Sequence, residues 1–462
     1  MTNSTGLSAT LFNKYHRLDK PYWSYPAPEQ FQHSISAFAR FNALRTSRTA
    51  LKPLALNINI PFCANACYYC TAKNIVTKDR SRSAAYLRSL EQEIRLIAKH
   101  VSPEQQVEQL HFGGGTPTFL NPGELRQLMT CLKDNFNIDC NNFTHYSIDI
   151  DPRETDWSTM GVLRHIGFNR VNIEVQGLDP AVQRAINRLQ SIEQTQNIVE
   201  AARTLQFRTV SISLIYGLPK QTLHSFTQAL TDIIQLTPDH ISLQGFQHQP
   251  NKHPIQSRIH AQDLPSPTAL AQMLGSAQQL LHNAGYIYIG MGLFALADDD
   301  LASAQEDKTL QHGVQGYISG THCDTIGFGV SAISQLGELY YHTCHELNAY
   351  QTALNNQQLA PAQGLQCNND DQIRRSIIQA LTCQFSVDLA NTEQCFKINV
   401  KEYFATQWPI LEQMRDDGLL SLTAQNLSMT EQGRLFTLAA CQLFDHYFAQ
   451  QNPDKAAITQ AI

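Results

Sequence analysis

The chain has 462 residues, 42% of them hydrophobic and 16% charged, a balance that excludes an intrinsically disordered protein and fits a globular one with a substantial core. A formal charge of −6 and a pI near 6.3 lack the basic footprint of a general nucleic-acid binder, so no nucleic-acid partner is expected. At this length about two to four units are expected, or one large catalytic domain with appendages.

The first residues carry no apolar run flanked by positive charge, and no apolar stretch nears the ~20 residues of a spanning helix. Neither a secretory signal nor a membrane span is expected. Residues 1–50 show no clear period and hold Tyr22, Trp23 and Tyr25 just before Pro26, which predicts an N-terminal arm packed over the main domain. From Leu54 onward short apolar runs alternate with amphipathic stretches. Strands are predicted at Leu54–Ile60, Val107–Phe112, Tyr146–Ile150, Val171–Gln176, Val210–Ile215 and His240–Phe246. Helices are predicted at Ser83–Lys99, Asn121–Phe136, Ser191–Leu205 and Ser225–Leu236, where apolar residues such as Leu87, Leu90, Ile94 and Ile97 recur at helical spacing.

Six strand–helix repeats predict an α/β fold with a parallel sheet and helices packed outside it. Six units suit a curved, partial (β/α)6 barrel better than a full eight-fold one, with an open doubly wound sheet as the alternative. The barrel and an extension are assigned to residues 51–355. The polar, Gln- and Asn-rich Asn355–Gln366 reads as a linker. Within 365–462, helical patterns at Asp370–Cys383 and Phe404–Asp417, the run Gly418–Leu422 and a helix from Thr430 predict a small helical, winged-helix-like C-terminal domain.

In such sheets the chemistry sits at the C-terminal strand ends, where loops converge. The informative residues fall there. Three cysteines follow the first predicted strand and Gly113-Gly114-Gly115-Thr116-Pro117 follows the second. Asp149 and Asp151 end the third, Gln176 ends the fourth, and Tyr216-Gly217-Leu218-Pro219 follows the fifth.

Eleven cysteines are present, an odd number with no disulfide-framework spacing. Cys131, Cys140, Cys323, Cys344, Cys367, Cys383, Cys395 and Cys441 stand singly and read as free, mostly buried thiols, which implies a reducing compartment, the cytoplasm. Cys63, Cys67 and Cys70 differ, because Pro61-Phe62-Cys63-Ala64-Asn65-Ala66-Cys67-Tyr68-Tyr69-Cys70 can wrap one inorganic cluster. Fe–S clusters are commonly held by four thiolates, so three leave one iron open to an outside ligand. The amino and carboxylate groups of S-adenosylmethionine can fill that position on a [4Fe–4S] cluster. Zinc is the competing reading and needs a distant fourth ligand such as His111. Gly113-Gly114-Gly115 lets backbone approach a ligand closely, and Asp149, Gln176 and Arg188 are candidates for ribose hydroxyls, the methionyl amine and its carboxylate.

At these residues the chain resembles the oxygen-independent coproporphyrinogen III oxidases, radical S-adenosylmethionine enzymes of haem biosynthesis. The likeness runs from about Tyr15 to the C-terminus. It is carried by Tyr22-Trp23-Ser24-Tyr25-Pro26, Ile60-Pro61-Phe62-Cys63, Asn74-Ile75-Val76-Thr77, Gly113-Gly114-Gly115-Thr116-Pro117-Thr118, Asp151-Pro152-Arg153-Glu154 and Leu214-Ile215-Tyr216-Gly217-Leu218-Pro219-Lys220-Gln221-Thr222. Later matches are Asp263-Leu264-Pro265-Ser266-Pro267, Gln315-Gly316-Tyr317 and Gly329-Val330-Ser331-Ala332-Ile333-Ser334. The resemblance implies a radical-SAM partial barrel with a cluster on Cys63, Cys67 and Cys70. It implies S-adenosylmethionine held near Gly114, Gly115, Thr116, Asp149, Gln176, Arg188 and position 213. It also implies a tetrapyrrole substrate, an electron donor such as flavodoxin or ferredoxin, and a monomeric enzyme.

Departures from the family pattern cluster at the chemistry. Cys70-Thr71-Ala72 replaces Cys-x-Cys, Asn57-Ile58-Asn59 replaces Tyr-x-His, and Asp149 replaces Glu. Ser213 replaces Asp, Gly290-Met291-Gly292-Leu293-Phe294-Ala295 replaces Gly-Met-Asp-His-Phe-Ala, and Pro21 replaces Arg. Three readings follow: an oxidase that decarboxylates propionate side chains, a paralogue acting on another tetrapyrrole, or a non-catalytic haem- or porphyrin-binding descendant.

Overall fold

The strand Leu54–Ile60 (β1) alternates in character: Leu56, Ile58 and Ile60 are fully buried, while Asn57 and Asn59 are only half-buried. The same period of two recurs in Gln106–Gly114 (β2), His145–Ile150 (β3), Arg170–Gln176 (β4), Thr209–Tyr216 (β5) and His240–Gly245 (β6). The computed structural model to which these elements belong describes residues 9–15, 24–139, 144–314 and 316–451. Tyr22, Trp23, Pro21, Cys140 and Gln315 lie outside the described residues.

The six strands pair in parallel, each with its chain neighbour, in the order β1-β2-β3-β4-β5-β6. Between them run Ser81–Ala98 (α1), Pro122–Asn135 (α2), Trp157–Ile166 (α3), Ile192–Thr204 (α4) and Leu223–Gln235 (α5). That order decides between the two architectures. Right-handed crossovers that never reverse direction place every helix on one face, whereas a doubly wound sheet reverses at a switch point. The sheet is singly wound, the layout of a partial (β/α)6 barrel. One face is sealed by helices. The other carries Asn57, Asn59, His111, Ser147, Asp149, Asn172, Glu174, Ser211 and Ser213, all half-buried.

The helix starts are written locally. Asn121, Ser191 and Thr222 each form a capping box, and the Asp156 side chain accepts from Thr159 N–H. Beyond β1 the sheet continues through Asp324–Phe328 (β7), parallel to β1, and then antiparallel through Ile333–Leu336 (β8), Leu339–Thr343 (β9) and Ala362–Gln366 (β10). The segment read as a linker is therefore half wrong. A helix covers Leu347–Asn355 and β10 is a paired strand whose Ala362 and Gly364 are buried. Two small residues alternating among glutamines gave too weak a period to outweigh the polar composition.

The chain divides into two compact units, 31–264 with 321–366, and 1–30 with 265–320 and 367–462. The second unit thus includes 265–320 beside the C-terminal helices. It holds a three-stranded antiparallel sheet of Ser386–Asp388, Asn426–Met429 and Leu420–Leu422 with helices such as Asn369–Gln384 and Trp408–Asp416. The predicted helix Phe404–Asp417 starts later than its pattern, with Pro409 in its first turn. The residues read as one arm belong to both units. Tyr15 and Tyr25 bury their rings with Leu381, Leu411 and Phe404, and the Tyr25 hydroxyl donates to Asp371 at 2.9 Å. The helix Ala37–Thr49 belongs to the barrel unit.

A buried carboxylate ties α1 to the extension. Glu93 accepts from Gly329 N–H at 2.8 Å and from the Tyr350 hydroxyl at 2.8 Å. Burial pushes its carboxyl up from 4.5 to about 7. The folded chain therefore holds this proton more tightly than the unfolded one. The resulting stability is complete below about pH 4.5 and is lost as pH rises through about 7. Glu93→Gln should flatten the fall in melting temperature between pH 5 and 8 that the wild type shows, whereas Glu93→Ala, leaving two buried donors unpaired, should cost about 1–3 kcal/mol. Thermal melts across that pH range check both.

Candidate active site

The first turn after β1 is stitched to the turn after β2. Gly115 N–H donates to Ile60 carbonyl at 2.7 Å and Thr116 N–H to Phe62 carbonyl at 2.8 Å. A Cβ at Gly115 would lie 2.6 Å from the Phe62 carbonyl oxygen and 2.9 Å from that of Ile60. The close approach that glycine permits here is to the cysteine loop itself. Gly114, at φ +100°, makes the turn. The loop closes on a two-residue parallel ladder between Phe62–Cys63 and Ile75–Val76. Its tip is held by Asn187 Nδ2 on Ala66 carbonyl at 2.7 Å and by Gln256 Nε2 on Tyr69 carbonyl at 3.1 Å.

Each cysteine sulfur meets a donor. Thr116 Oγ1 lies 3.7 Å from Cys63, Asn74 Nδ2 3.7 Å from Cys70, and Arg153 Nη2 3.6 Å and Arg188 Nη1 3.9 Å from Cys67. Burial pushes the Cys63 thiol up to about 11, and the Thr116 hydroxyl opposes it. The two guanidiniums are gathered by Asp151, which takes Arg153 at 2.6 Å and Arg188 at 3.0 Å. Burial opposes ionisation of Asp151, but the two arginines outweigh it and hold the carboxyl below its ordinary value. Arg188 also donates to the Glu174 carbonyl, and its buried Nε has no partner among the described residues.

The remaining predicted residues sit on the polar face of the sheet. Asp149 takes Asn172 Nδ2 at 2.9 Å and stands 3.5 Å from His111 Nε2. Burial opposes its charge, and His111 and Asn172 bring its carboxyl below the ordinary value. Gln176 is 5% exposed at φ +71° and its amide donates to Glu174. Ser213 faces Glu174 in register across β4 and β5.

The cysteines, Thr116 and Arg188 are thus brought into one constellation, and Asp149, Gln176 and Ser213 into an adjoining one. Composition reasoning passed over Arg153 and Glu174. The run Asp151-Pro152-Arg153-Glu154, charged and directly after β3, was a signal for the first. Glu174 had none without the strand register.

The donor set fits an iron–sulfur cluster. Three thiolates reside on one loop, donors to sulfur surround them, and such donors tune cluster potentials. Among the described residues no three or more His, Cys, Asp or Glu side chains are placed to hold a single metal ion. A cluster requires no such convergence, because each thiolate takes a different iron. The fourth zinc ligand considered from sequence, His111, is engaged elsewhere: its Nδ1 lies 2.9 Å from Ser147 Oγ. The described cysteines are all free of disulfides, with Cys131, Cys323, Cys367, Cys383 and Cys441 buried and Cys395 exposed.

Residues 58–233 match the Radical SAM superfamily, and residues 367–436 match the HemN C-terminal domain. The oxygen-independent coproporphyrinogen III oxidase of Pseudomonas aeruginosa is 50% identical over 98% of each chain. That of Escherichia coli is 37% identical over 96% of this chain and 95% of its own. The solved structure of the Escherichia coli coproporphyrinogen III oxidase, a radical SAM enzyme, superposes with a TM-score of 0.88 over 92% of this chain and 97% of that one.

Anaerobically reconstituted protein should carry about four irons per chain, as one four-iron cluster requires. Replacing Cys63, Cys67 or Cys70 by Ala should remove most of that iron, while Cys131→Ala and Cys344→Ala should leave it. Iron and sulfide analysis with the visible spectrum reads the result, and stoichiometric zinc without iron in freshly purified anaerobic protein would contradict the assignment.

Proposed function

This chain belongs to the oxygen-independent coproporphyrinogen III oxidases of the radical S-adenosylmethionine superfamily, oxidoreductases that use a [4Fe–4S] cluster and S-adenosylmethionine, and on that premise we propose how its own residues serve the reaction. Cys63, Cys67 and Cys70 hold the cluster, and Gly114, Gly115, Thr116, Asp149, Gln176, Arg188 and the strand position of Ser213 form the place for S-adenosylmethionine. The observation that carries this reading is the Asp151-organised pair of guanidiniums against Cys67 at the mouth of a singly wound sheet. When bound, the cluster and S-adenosylmethionine would supply one-electron reductive chemistry at the sulfonium and, through it, hydrogen abstraction from a propionate side chain of coproporphyrinogen III, which would leave as vinyl and carbon dioxide with one electron passing to an acceptor.

The protein's part is positioning and charge. Gly115 locks the cysteine loop to β2, which fixes where the loop leaves the sheet. Arg188 keeps an unused Nε donor for a carboxylate, while Asp151 fixes its guanidinium plane. The polar face of β1–β5 offers hydroxyl, amide and imidazole groups to ribose and substrate. A small electron carrier of the flavodoxin or ferredoxin kind supplies the electron, and the enzyme works in the cytoplasm as a monomer. Among the described residues no helix is long and apolar enough to cross a membrane.

One observation favours a second reading, a changed tetrapyrrole. Asn59, where the resemblance expects an imidazole, is bound through Nδ2 to the Val330 carbonyl at 2.6 Å, and Ala72 supplies no thiol beside the cluster loop. Gly292 and Leu293, also altered, lie in the turn and at the start of the second strand of the pair Tyr286–Gly290 and Leu293–Leu296 in the other unit. One assay separates the readings. Reduced, reconstituted protein given S-adenosylmethionine and coproporphyrinogen III should form 5′-deoxyadenosine together with carbon dioxide and vinyl product. 5′-Deoxyadenosine without decarboxylation would establish the changed substrate, and neither product from cluster-replete protein would establish the binding-only descendant. On the first outcome, Asn59→His with Ala72→Cys should alter turnover by about tenfold or more, since ~1 Å shifts near a reacting centre cost up to about 100-fold.

A further inference from the structure

The place of Ser213 in the sheet bears on the cofactor. Parallel pairing sets Glu174 of β4 directly beside Ser213 of β5, one strand spacing of about 4.8 Å away, and both side chains are half-buried on the polar face. We infer that Glu174 supplies the carboxylate that holds the positively charged end of S-adenosylmethionine, its amino and sulfonium groups, in place of the acidic side chain that position 213 lacks. This rests on the cofactor reading above.

Four observations support the transfer. Glutamate is one methylene longer than aspartate, so a carboxylate rooted on β4 can reach toward the space a shorter one on β5 would fill. The Gln176 amide donates to Glu174, which orients the carboxylate. Arg188, whose guanidinium reaches the Cys67 sulfur, also donates to the Glu174 backbone carbonyl, which places this point of β4 beside the cysteine loop. Lastly, among the described residues the Glu174 carboxylate forms no ion pair, and the nearby Arg188 is paired with Asp151. Asp151 has Arg153 and Arg188, and Asp149 has His111 and Asn172. Burial and the neighbouring charge of Asp149 push the Glu174 carboxyl up to about 7, with Arg188 only partly opposing them. S-adenosylmethionine brings the cation that would pair with this carboxylate.

The test measures S-adenosylmethionine binding to full-length, anaerobically reconstituted protein by equilibrium dialysis, with iron content measured in parallel. Glu174→Gln should weaken binding about 10- to 100-fold with the cluster retained. Moving the carboxylate back, with Glu174→Ser and Ser213→Asp together, should return affinity to within about threefold of wild type, a rescue that a purely structural role would not produce. If Glu174→Gln fails to assemble a cluster, this double variant decides the matter, and its failure to bind overturns the inference. Ser213→Asp alone should not tighten binding, because it sets two carboxylates side by side; tightening would show that position 213 still wants the acid and would overturn the inference. Wild-type binding with unchanged affinity in Glu174→Gln sinks the inference and leaves the cofactor reading standing. Cluster-replete wild type with no affinity at all sinks both.

Discussion

The site depends on one carboxylate. Asp151 leaves the end of β3 and holds two guanidiniums, Arg153 at 2.6 Å and Arg188 at 3.0 Å, both of which reach the Cys67 sulfur. Arg188 arrives from beyond β4, so this single acid fixes a strand end, a distant loop and the cysteine loop relative to one another. The ion triad is nearly dry, with Asp151 6% and Arg188 3% exposed. Removing one member of such a group leaves buried charge uncompensated, at about 3–5 kcal/mol. A cluster held on three thiolates would need nearby positive charge, and because Asp151 neutralises part of it two arginines can share so small a volume.

The second constraint is the sheet's direction of winding. With strand order following chain order, successive loops at the C-terminal strand ends lie side by side, so a cysteine loop after β1 adjoins a glycine turn after β2 and charged residues after β3 and β4. Nothing in any one loop specifies this. It follows from right-handed crossovers repeated without reversal.

The strands were readable because their period was strong. β1 runs over the predicted residues Leu54–Ile60, and β3 to β6 lie within a residue or two of prediction at each end. Helix starts were readable where a cap stood in the sequence, as at Asn121 and Ser191. The extension was not, since β10 hides Ala362 and Gly364 among glutamines. The cysteine spacing marked the loop that gathers Cys63, Cys67 and Cys70 without help. Its partners were harder to see, because Arg153 and Glu174 act through strand register and chain approach, and neither quantity exists along a one-dimensional string. Gly115 was visible but for a different reason than expected: its missing Cβ admits the Ile60 and Phe62 carbonyls.

That register also explains how the sheet tolerates so many departures at its chemistry. Parallel sheets covered on both faces are apolar throughout, but here half-buried Asn57, Asn59, His111, Ser147, Asp149, Asn172, Glu174 and Ser213 make every second position polar. On such a face a group lost from one strand has a neighbour about 4.8 Å away whose side chain points the same way. An acid can then be moved from one strand to the next without disturbing the apolar face, where Ile148, Ile173 and Ile212 are fully buried. Substitution by volume in that apolar layer is punished by cavities or overpacking, whereas exchange across the polar face changes chemistry and leaves the packing intact. The fold therefore separates the side chains that pack from those that face the polar site, and it does so residue by residue along the same strands.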